Sequence, residues 1–354
     1  MGCAVAFAAA ACAAAEPRDP EAVYHDQCSQ TQCGDGNSPV IAGVYFWRLS
    51  SDGEPNGSGV KITKVVKGGV AMRLIAVDDE LRGVDLETGA TIFSGAQIDG
   101  TTIYVVVEGQ DYAIDIEYRD SYDEPFWVVP VLHEKVKTYK LAYSLAALHD
   151  MGEPARTLLC ERTDAGPAGE PVLRAIVFTG DTYDPVTRRI SLSDTAGWMN
   201  IACEASAPWK MHLMAHTTAA AHRFPARPAV HTTLAQRQSL LNAWTMNACG
   251  NGVAFTKQGI PISLTPQPNW LPMSSGYQPD AATREAIWGP DGALCLDVHR
   301  RSINDDDAKA RKENIEAVCG WSLPSCDTID TSIGGPYVKT GVPDWPPPPI
   351  LIAK

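Results

Sequence analysis

Residues 41–145 alternate apolar and polar positions over short stretches, which is the pattern of β-strands. Residues 60–66 and 103–107 are rich in β-branched side chains, and residues 113–118 alternate polar with apolar side chains. Glycine-containing turns separate these runs at residues 51–53, 67–69 and 99–100. The pattern predicts a β-rich N-terminal region over residues 41–145, arranged as a sandwich, a barrel or a solenoid-like sheet.

The second half mixes strand and helix patterns. Residues 173–179 are apolar and predict a strand, and residues 189–192 predict a shorter one. Residues 233–249 predict a helix, because apolar side chains recur there at three- and four-residue spacing and Gly250 stands where a helix often ends.

Two more helices are predicted in the second half. One covers residues 280–288, and the other covers residues 305–318, where three aspartates occupy the first turn and suit the helix dipole. The fold class predicted for the chain is α+β, with the β-rich N-terminal region followed by a cysteine-rich α+β domain over residues 155–326.

The two ends of the chain differ from the rest in composition. Residues 3–15 form an alanine-rich apolar run before Glu16, which predicts a signal peptide or lipoprotein leader over residues 1–15. Cys12 follows three alanines and is a candidate for lipidation. Residues 16–40 are polar and predict a tether, and residues 327–354 predict a proline-rich disordered tail.

Eight of the ten cysteines lie beyond the leader, and an even number in an exported chain predicts disulfides. These eight are Cys28, Cys33, Cys160, Cys203, Cys249, Cys295, Cys319 and Cys326. Their short separations suggest that Cys28 pairs with Cys33 and Cys319 with Cys326, which leaves the other four to pair among themselves. Zinc-ligand spacing is absent from the set, so a metal site is the lesser alternative.

Several segments of the second half resemble the ADYC domain family, a group of exported bacterial proteins without an assigned activity. The resemblance rests on Asn242–Ala243–Trp244 and Cys249–Gly250–Asn251–Gly252, with further matching segments at residues 178–184, 198–203 and 285–296. It extends over residues 81–326 and implies an exported, disulfide-stabilised domain.

The chain departs from the motif that gives the family its name. Where the family has Ala-Asp-Tyr-Cys, this sequence reads Met246–Asn247–Ala248–Cys249. If the missing Asp and Tyr perform chemistry in relatives, this chain lacks it. If they only complete a helix end, Asn247 and Ala248 are able to serve. The retained cysteine favours a structural disulfide.

Histidines supply the candidate metal ligands. His212 and His216 are four residues apart, His222 follows, and neutral imidazoles are common ligands of zinc and copper. Pro225 and Pro228 indicate a surface loop, so exposed histidines without a metal are the favoured interpretation. A thiol nucleophile at Cys249 is the alternative to its disulfide.

Charge and aromatic content limit the choice of partner. A formal net charge of −13 disfavours nucleic acid and anionic membrane surfaces, because both bind basic faces. Membrane attachment is expected only through a lipid anchor. Six tryptophans either fill the core, which we favour, or line a glycan-binding groove; they are Trp198, Trp209, Trp244, Trp270, Trp288 and Trp321.

The sequence therefore predicts an extracytoplasmic protein that is secreted, periplasmic or anchored at the cell surface. Its most favoured role is that of a non-enzymatic binding or structural protein with a surface protein or glycan as ligand, and no cofactor is predicted. One alternative is a hydrolase or metal-dependent enzyme with its site near His212, His216 and Cys249. The other is a carbohydrate-binding module.

Overall fold

The described part of the chain contains nineteen strands, four α-helices and two short 3-10 helices, at Gly95–Ile98 and Cys326–Thr328. The computed structural model describes residues 39–77, 79–122, 136–152, 155–160, 174–184, 186–192, 197–204, 206–213, 232–255, 263–266, 284–297, 305–330 and 336–341.

Strands β1 to β10 belong to the predicted β-rich region, and the remaining nine follow it. The first ten are Val40–Ile41, Val44–Tyr45, Arg48–Ser50, Lys61–Lys67, Val70–Val77, Glu80–Val84, Thr91–Phe93, Thr101–Val107, Gln110–Tyr122 and Val136–Leu145. Strands β11 to β19 are Thr157–Leu158, Arg174–Phe178, Thr182–Tyr183, Ile190–Ser191, Trp198–Cys203, Ser263–Pro266, Arg284–Gly289, Gly292–Leu296 and Val338–Gly341. The β-rich N-terminal region is thus confirmed.

The helices are short except for the last two. They are α1 (Ala146–Asp150), α2 (Ala207–Leu213), α3 (Leu234–Thr245) and α4 (Asp305–Cys319). Thr233 caps α3 in a capping box with Gln236, as the sequence of that segment favours. The predicted third helix is confirmed as α4. The first predicted helix ends at Thr245 rather than residue 249, because Met246 adopts a left-handed conformation with φ 51°.

An antiparallel sheet of eleven strands dominates the molecule. Its order is β3-β15-β12-β10-β9-β8-β4-β5-β6-β7, and β11 pairs with β10. The β4–β5 hairpin joins Lys67 to Val70 through two glycines with positive φ, the geometry that matches the natural twist of two strands. The sheet curls so strongly that β12 and β15 also contact β5.

Strands β12 and β15 separate two hydrophobic cores. In β12, Ala175 and Val177 pack into the first core, which the N-terminal strands build, whereas Ile176 and Phe178 pack into the second core around α2, α3 and α4. Successive side chains of a strand point to opposite faces, so one strand serves both cores. The sequence predicted a domain boundary between residues 145 and 155. The large sheet contains strands that come before this boundary and strands that come after it, so the two predicted regions share one sheet.

The predicted helix over residues 280–288 is wrong. Arg284–Gly289 forms β17, which pairs with β18 and with β19. Both faces of this segment are buried, since Ile287 is 2% exposed and its neighbour Trp288 is 0% exposed. A short apolar run of this kind fits a buried strand as well as a helix, and its pairing with residues far along the chain decides between them.

The predicted disordered tail is wrong for Val338–Gly341, which forms β19 between β16 and β17. Thr340 fixes the strand there: its hydroxyl donates to Glu285 Oε2 at 2.6 Å and accepts from Trp288 Nε1 at 2.8 Å. These polar groups are all buried and satisfy one another. The prolines at residues 346–349 lie outside the described residues.

Three disulfides join the six described cysteines, and the predicted Cys319–Cys326 pair is wrong. The bonds are Cys160–Cys203, Cys249–Cys319 and Cys295–Cys326. Cys319 ends α4 against the end of α3, whereas Cys326 lies beside β18, so neither sulfur faces the other. Cys249 and Cys295 consequently pair outside their predicted set of four. Cys12, Cys28 and Cys33 lie outside the described residues.

Candidate functional site

His212, the first predicted metal ligand, is buried in the second core. Its Nε2 lies 2.8 Å from Asp79 Oδ1, and its ring stacks on Phe178 with centroids 4.2 Å apart. The pair links α2 to the turn between β5 and β6. His216 and His222 lie outside the described residues, and no group of three or more metal-ligating side chains occurs within the described ones.

Cys249, the predicted alternative nucleophile, carries no thiol because it is bonded to Cys319. A disulfide sulfur in the core has neither the charge nor the access that a thiolate nucleophile requires. Cys249 is 6% exposed and packs in the second core with Trp244 and Ile315. Its role here is to tie the end of α3 to the end of α4.

The other residues of the signature segment form a buried amide network at the end of α3. Asn242 makes four hydrogen bonds: Oδ1 accepts from Gln238 and Asn247, and Nδ2 donates to the carbonyls of Gly289 and Pro290. All of these donors and acceptors are therefore used inside the protein.

Asn247 completes the helix end in place of the family's Asp. Its backbone N–H donates to the Asn242 carbonyl, and its Oδ1 accepts from the backbone N–H of Gly252 at 3.1 Å. These two hydrogen bonds hold the loop after α3 against the end of the helix. The geometry supports the structural interpretation of this motif in the present chain.

A buried ion pair anchors the other end of α3. Arg237 donates to both carboxylate oxygens of Asp181, with Nη2 2.9 Å from Oδ1, and also donates to the Thr232 carbonyl. Burial raises the pKa of Asp181, and the hydrogen bonds and positive charge of Arg237 oppose that rise. Burial also raises the pKa of the neighbouring Tyr183 hydroxyl. The pair is enclosed by the protein and has no access for a substrate.

The tryptophans are mostly core residues. Trp209, Trp244 and Trp288 are at most 7% exposed and pack in the second core. Arg48 covers Trp198 at 4.0 Å from the ring centroid, and Trp321 is 50% exposed. Trp270 lies outside the described residues. None of the described tryptophans lines the groove between β4 and β5.

An open groove lies where β4 and β5 separate; we call it the fork groove. The two strands pair only from Val65–Met72 to Lys67–Val70. Beyond that point β4 pairs only with β8, with a bulge at Thr63, whereas β5 pairs with β6. The space between them is about 400 Å³, and the turn of residues 51–53 also lines it. Volumes of this size accommodate small ligands.

The fork groove has charged walls and an apolar floor. Arg73 Nη1 lies 3.1 Å from Asp52 Oδ1, and both side chains are almost half exposed. Lys64 lines the same groove. Ser51 Oγ is buried and has no hydrogen-bond partner among the described residues. Buried hydroxyls are nearly always hydrogen-bonded, so Ser51 is an exception, and its Oγ is too enclosed to be reached from the groove.

Sequence reasoning missed the fork groove and a second polar cluster on the sheet. In that cluster, His149 Nε2 is 3.0 Å from Asp115 Oδ1, and its Nδ1 is 3.5 Å from Asp150 Oδ1. A hydrogen bond from Tyr104 lowers the pKa of Asp150. The imidazole therefore joins Asp115 of β9 to Asp150 at the end of α1. We interpret the cluster as the anchor of α1.

Neither feature has a local sequence signal. The groove depends on where two strands stop pairing, and the cluster joins side chains that are 34 residues apart. A bulge near Thr63 is invisible in the alternation of residues 60–66, because that run is apolar enough to be read as an uninterrupted strand.

Two cores that share a sheet, three buried disulfides and a signature segment used for packing define a β-rich, disulfide-bonded protein. The ADYC domain model matches residues 95–302, more than half of the chain, and the protein belongs to that family. No curated protein and no solved structure matches the chain. Within the described residues, none of the helices has both the length and the apolar character of a membrane span.

Proposed function

We propose that this protein acts outside the cytoplasm as a non-enzymatic binding protein and that the fork groove is its ligand site. The observation that carries the proposal is the groove itself, a space of about 400 Å³ with the half-exposed Arg73 and Asp52 side chains in its walls. We also propose that the cysteine-rich second half be classed as α+β, since α2, α3 and α4 pack there with β17 and its partners.

The state of the two described residues among the three predicted for an enzyme site supports binding over catalysis. Cys249 is in a disulfide, and the His212 imidazole is enclosed between Asp79 and Phe178. Two of the three side chains predicted to carry an enzyme mechanism, His212 and Cys249, are thus used to hold elements together, and the third, His216, lies outside the described residues. The carbohydrate-module alternative receives less support, because no aromatic side chain of the described residues lines the fork groove, where a sugar ring would stack.

The disulfides support the extracytoplasmic location. Three buried disulfides in one chain are typical of proteins that fold in an oxidising compartment. A fusion of the chain to alkaline phosphatase, which is active only after export, tests the location directly. We expect activity with the full chain and its loss when residues 1–15 are deleted. If both fusions were inactive, the result would contradict export.

Ligand mapping by NMR tests the binding role. Isotope-labelled protein is titrated at millimolar concentrations with amino acids, small organic acids and sugars. We expect at least one compound to shift the backbone signals of Ser51, Lys64 and Arg73 while those of α4 stay unchanged. Shifts confined to the surroundings of Trp321 would instead support a glycan site there. A panel that leaves the fork groove unchanged would contradict the proposal.

A further inference from the structure

We propose that the outward side of α1 contacts a lipid surface with zwitterionic headgroups. This side, the α1 patch, consists of four exposed apolar side chains on α1 and at its two ends: Leu145, Ala147, Leu148 and Met151. The inference goes beyond the proposed function, because the α1 patch shares no residue with the fork groove. It rests on the polarity of α1, on the contacts that fix its orientation, and on the place where the chain enters the fold.

The outward side of α1 is apolar, which is the reverse of an ordinary surface helix. Leu145 and Leu148 are 38% and 39% exposed, and Met151 is 68% exposed. These three residues follow one another at three-residue spacing and therefore lie on one side of the helix. A surface helix usually turns its apolar side to the core and its polar side to water. Neighbouring exposed apolar side chains of this kind mark an interaction surface.

The polar side chains of α1 hold the helix in this orientation. His149 Nε2 lies 3.0 Å from Asp115 Oδ1 in β9, and the Tyr104 hydroxyl in β8 donates to Asp150 at 2.8 Å. Turning Leu148 and Met151 towards the sheet would break both contacts. The exposure of the α1 patch is therefore fixed by the fold.

The chain enters its described part beside the α1 patch. The Val40 N–H donates to the Leu159 carbonyl, and the Ala42 N–H donates to the hydroxyl of Tyr143, which lies just before Leu145 in β10. Residues 16–38 connect this point to the apolar run of residues 3–15. A segment of that length spans at most about 80 Å. An anchor within residues 1–15 that is held in a bilayer therefore keeps α1 close to the same bilayer.

The α1 patch would supply the second contact that stable membrane attachment requires. A single acyl chain binds a bilayer only marginally and reversibly, so lasting attachment takes a second signal. Leu148 and Met151 would bury apolar surface at the boundary between headgroups and acyl chains. Because the connecting segment already holds the fold near the bilayer, even a weak contact of this kind is occupied.

Negative charges around the α1 patch select the headgroup. The Asp150 side chain is 63% exposed, and exposed Asp111 precedes Tyr112, the register partner of Leu145. Arg156, which belongs to the same polar cluster, is paired with Asp115 at 3.2 Å. An anionic lipid surface would repel the two aspartates, whereas a zwitterionic one would not.

Methyl NMR of the full chain tests the contact directly. The oxidised protein, with ¹³C-labelled methionine methyl groups, is mixed with phosphatidylcholine bicelles that contain a nitroxide-labelled lipid. We expect the Met151 methyl signal to lose most of its intensity, because its side chain enters the lipid. The signals of Met72 and Met199 should keep theirs, because both side chains are buried in the first core.

Paired variants locate the contact by flotation with phosphatidylcholine vesicles. Leu148→Glu combined with Met151→Glu is expected to lower the partition coefficient of the full chain about tenfold. The matched control is Val186→Glu combined with Leu192→Glu, because these two side chains are 76% and 57% exposed elsewhere on the fold. We expect the control to partition as the parent does.

The remaining outcomes would overturn the proposal in different ways. Flotation of the chain without any loss of the Met151 signal would show that residues 1–15 alone hold the protein. A dimer that Leu148→Glu with Met151→Glu converts to a monomer, measured by sedimentation without lipid, would make a second copy the occupant. Tighter binding to anionic phosphatidylglycerol vesicles than to phosphatidylcholine would refute the headgroup assignment. None of these results bears on ligand binding in the fork groove.

Discussion

Single side chains in the second core take their roles from hydrogen bonds made inside the protein. Asn247 is the clearest case, because it occupies the place of the family's Asp and is 0% exposed. Both polar atoms of its side-chain amide are hydrogen-bonded: Nδ2 donates to Asn242 Oδ1 at 3.1 Å, and Oδ1 accepts from the backbone N–H of Gly252. An aspartate has no donor for the first of these bonds at neutral pH.

We therefore expect Asn247→Asp to lower the free energy of unfolding at pH 7 by about 1–3 kcal/mol. The buried carboxyl would have a raised pKa, so the loss should shrink as the pH falls and the protonated group donates to Asn242. Urea unfolding at pH 7 and pH 5 measures both effects. Asn251→Asp is the control, because exposed Asn251 only accepts from Val253. Equal stability of Asn247→Asp and the parent would show that Asn242 reorients.

Two buried tyrosines differ in whether their hydroxyls have partners. The Leu81 backbone N–H donates to the Tyr139 hydroxyl at 2.8 Å, whereas the Tyr183 hydroxyl has no hydrogen-bond partner among the described residues. We expect Tyr139→Phe to cost about 1–2 kcal/mol and Tyr183→Phe to be neutral or stabilising. Thermal unfolding of both variants measures the difference. A larger loss for Tyr183→Phe would mean that its hydroxyl is paired after all.

The same tyrosines make stability depend on alkaline pH. Burial raises the pKa of both hydroxyls, so the folded state keeps its protons while the unfolded state releases them. Their stabilising contribution is complete below the ordinary tyrosine pKa of about 10 and is lost as the pH rises above it. We expect each Phe variant to show a shallower loss of stability between about pH 9 and pH 11 than the parent, measured by urea unfolding. An unchanged slope in both variants would contradict this.

At the scale of elements, the sequence predicted the hairpins and helices that depend on contacts between residues close together in the chain. The β4–β5 and β8–β9 hairpins follow from β-branched runs around short turns, and α4 follows from its length and acidic first turn. In contrast, β17 depends on pairing with β19, which lies some fifty residues further along, and its own sequence suits a helix equally well. The fork groove depends on where β4 and β5 stop pairing, and the Cys249–Cys319 disulfide depends on the ends of α3 and α4 lying together.

Gly292, at the β17–β18 turn, lies where this turn packs closely against the residues that follow α3. Gly292 has φ 124°, and a Cβ there would lie 2.4 Å from the Ala248 carbonyl oxygen, beside the bond from the Ala293 N–H to that same oxygen. We expect Gly292→Ala to destabilise the fold by roughly 2–4 kcal/mol through strain and a backbone clash. Chemical denaturation measures the loss.

Gly320→Ala is the matched control for this glycine. Gly320 also has a positive φ, of 77°, but a Cβ there meets nothing within 4 Å. Its substitution should cost only the left-handed conformation, about 1–2 kcal/mol. Equal losses in the two variants would show that the junction between α3 and the β17–β18 turn yields to the added methyl group.

At the scale of the whole molecule, the shared strands connect two regions that the sequence suggests are separate domains. Composition changes near residue 150, from β-branched runs to a mixture with helices, and this favours a boundary there. Alternation along a strand cannot reveal that its two faces are buried in different cores, because the segment Ala175–Phe178 of β12 is apolar throughout. The sheet order, which no local pattern specifies, is what joins the two regions.

This connection predicts a single cooperative unfolding transition for the oxidised protein. Loss of either core removes the packing on one face of β12 and β15, so neither core should persist alone. Tryptophan fluorescence reports the second core, which holds Trp47, Trp209, Trp244 and Trp288, and far-UV circular dichroism reports the strands of the large sheet. We expect the two signals to change at the same denaturant concentration.

Replacing Cys249 and Cys319 together by Ala should lower both unfolding midpoints equally. The free energy of unfolding should fall by about 4 kcal/mol, as expected for a disulfide that closes a loop of this length. Earlier loss of the fluorescence signal, in the parent or in the double variant, would instead establish two independently unfolding domains and place their boundary between β10 and β12.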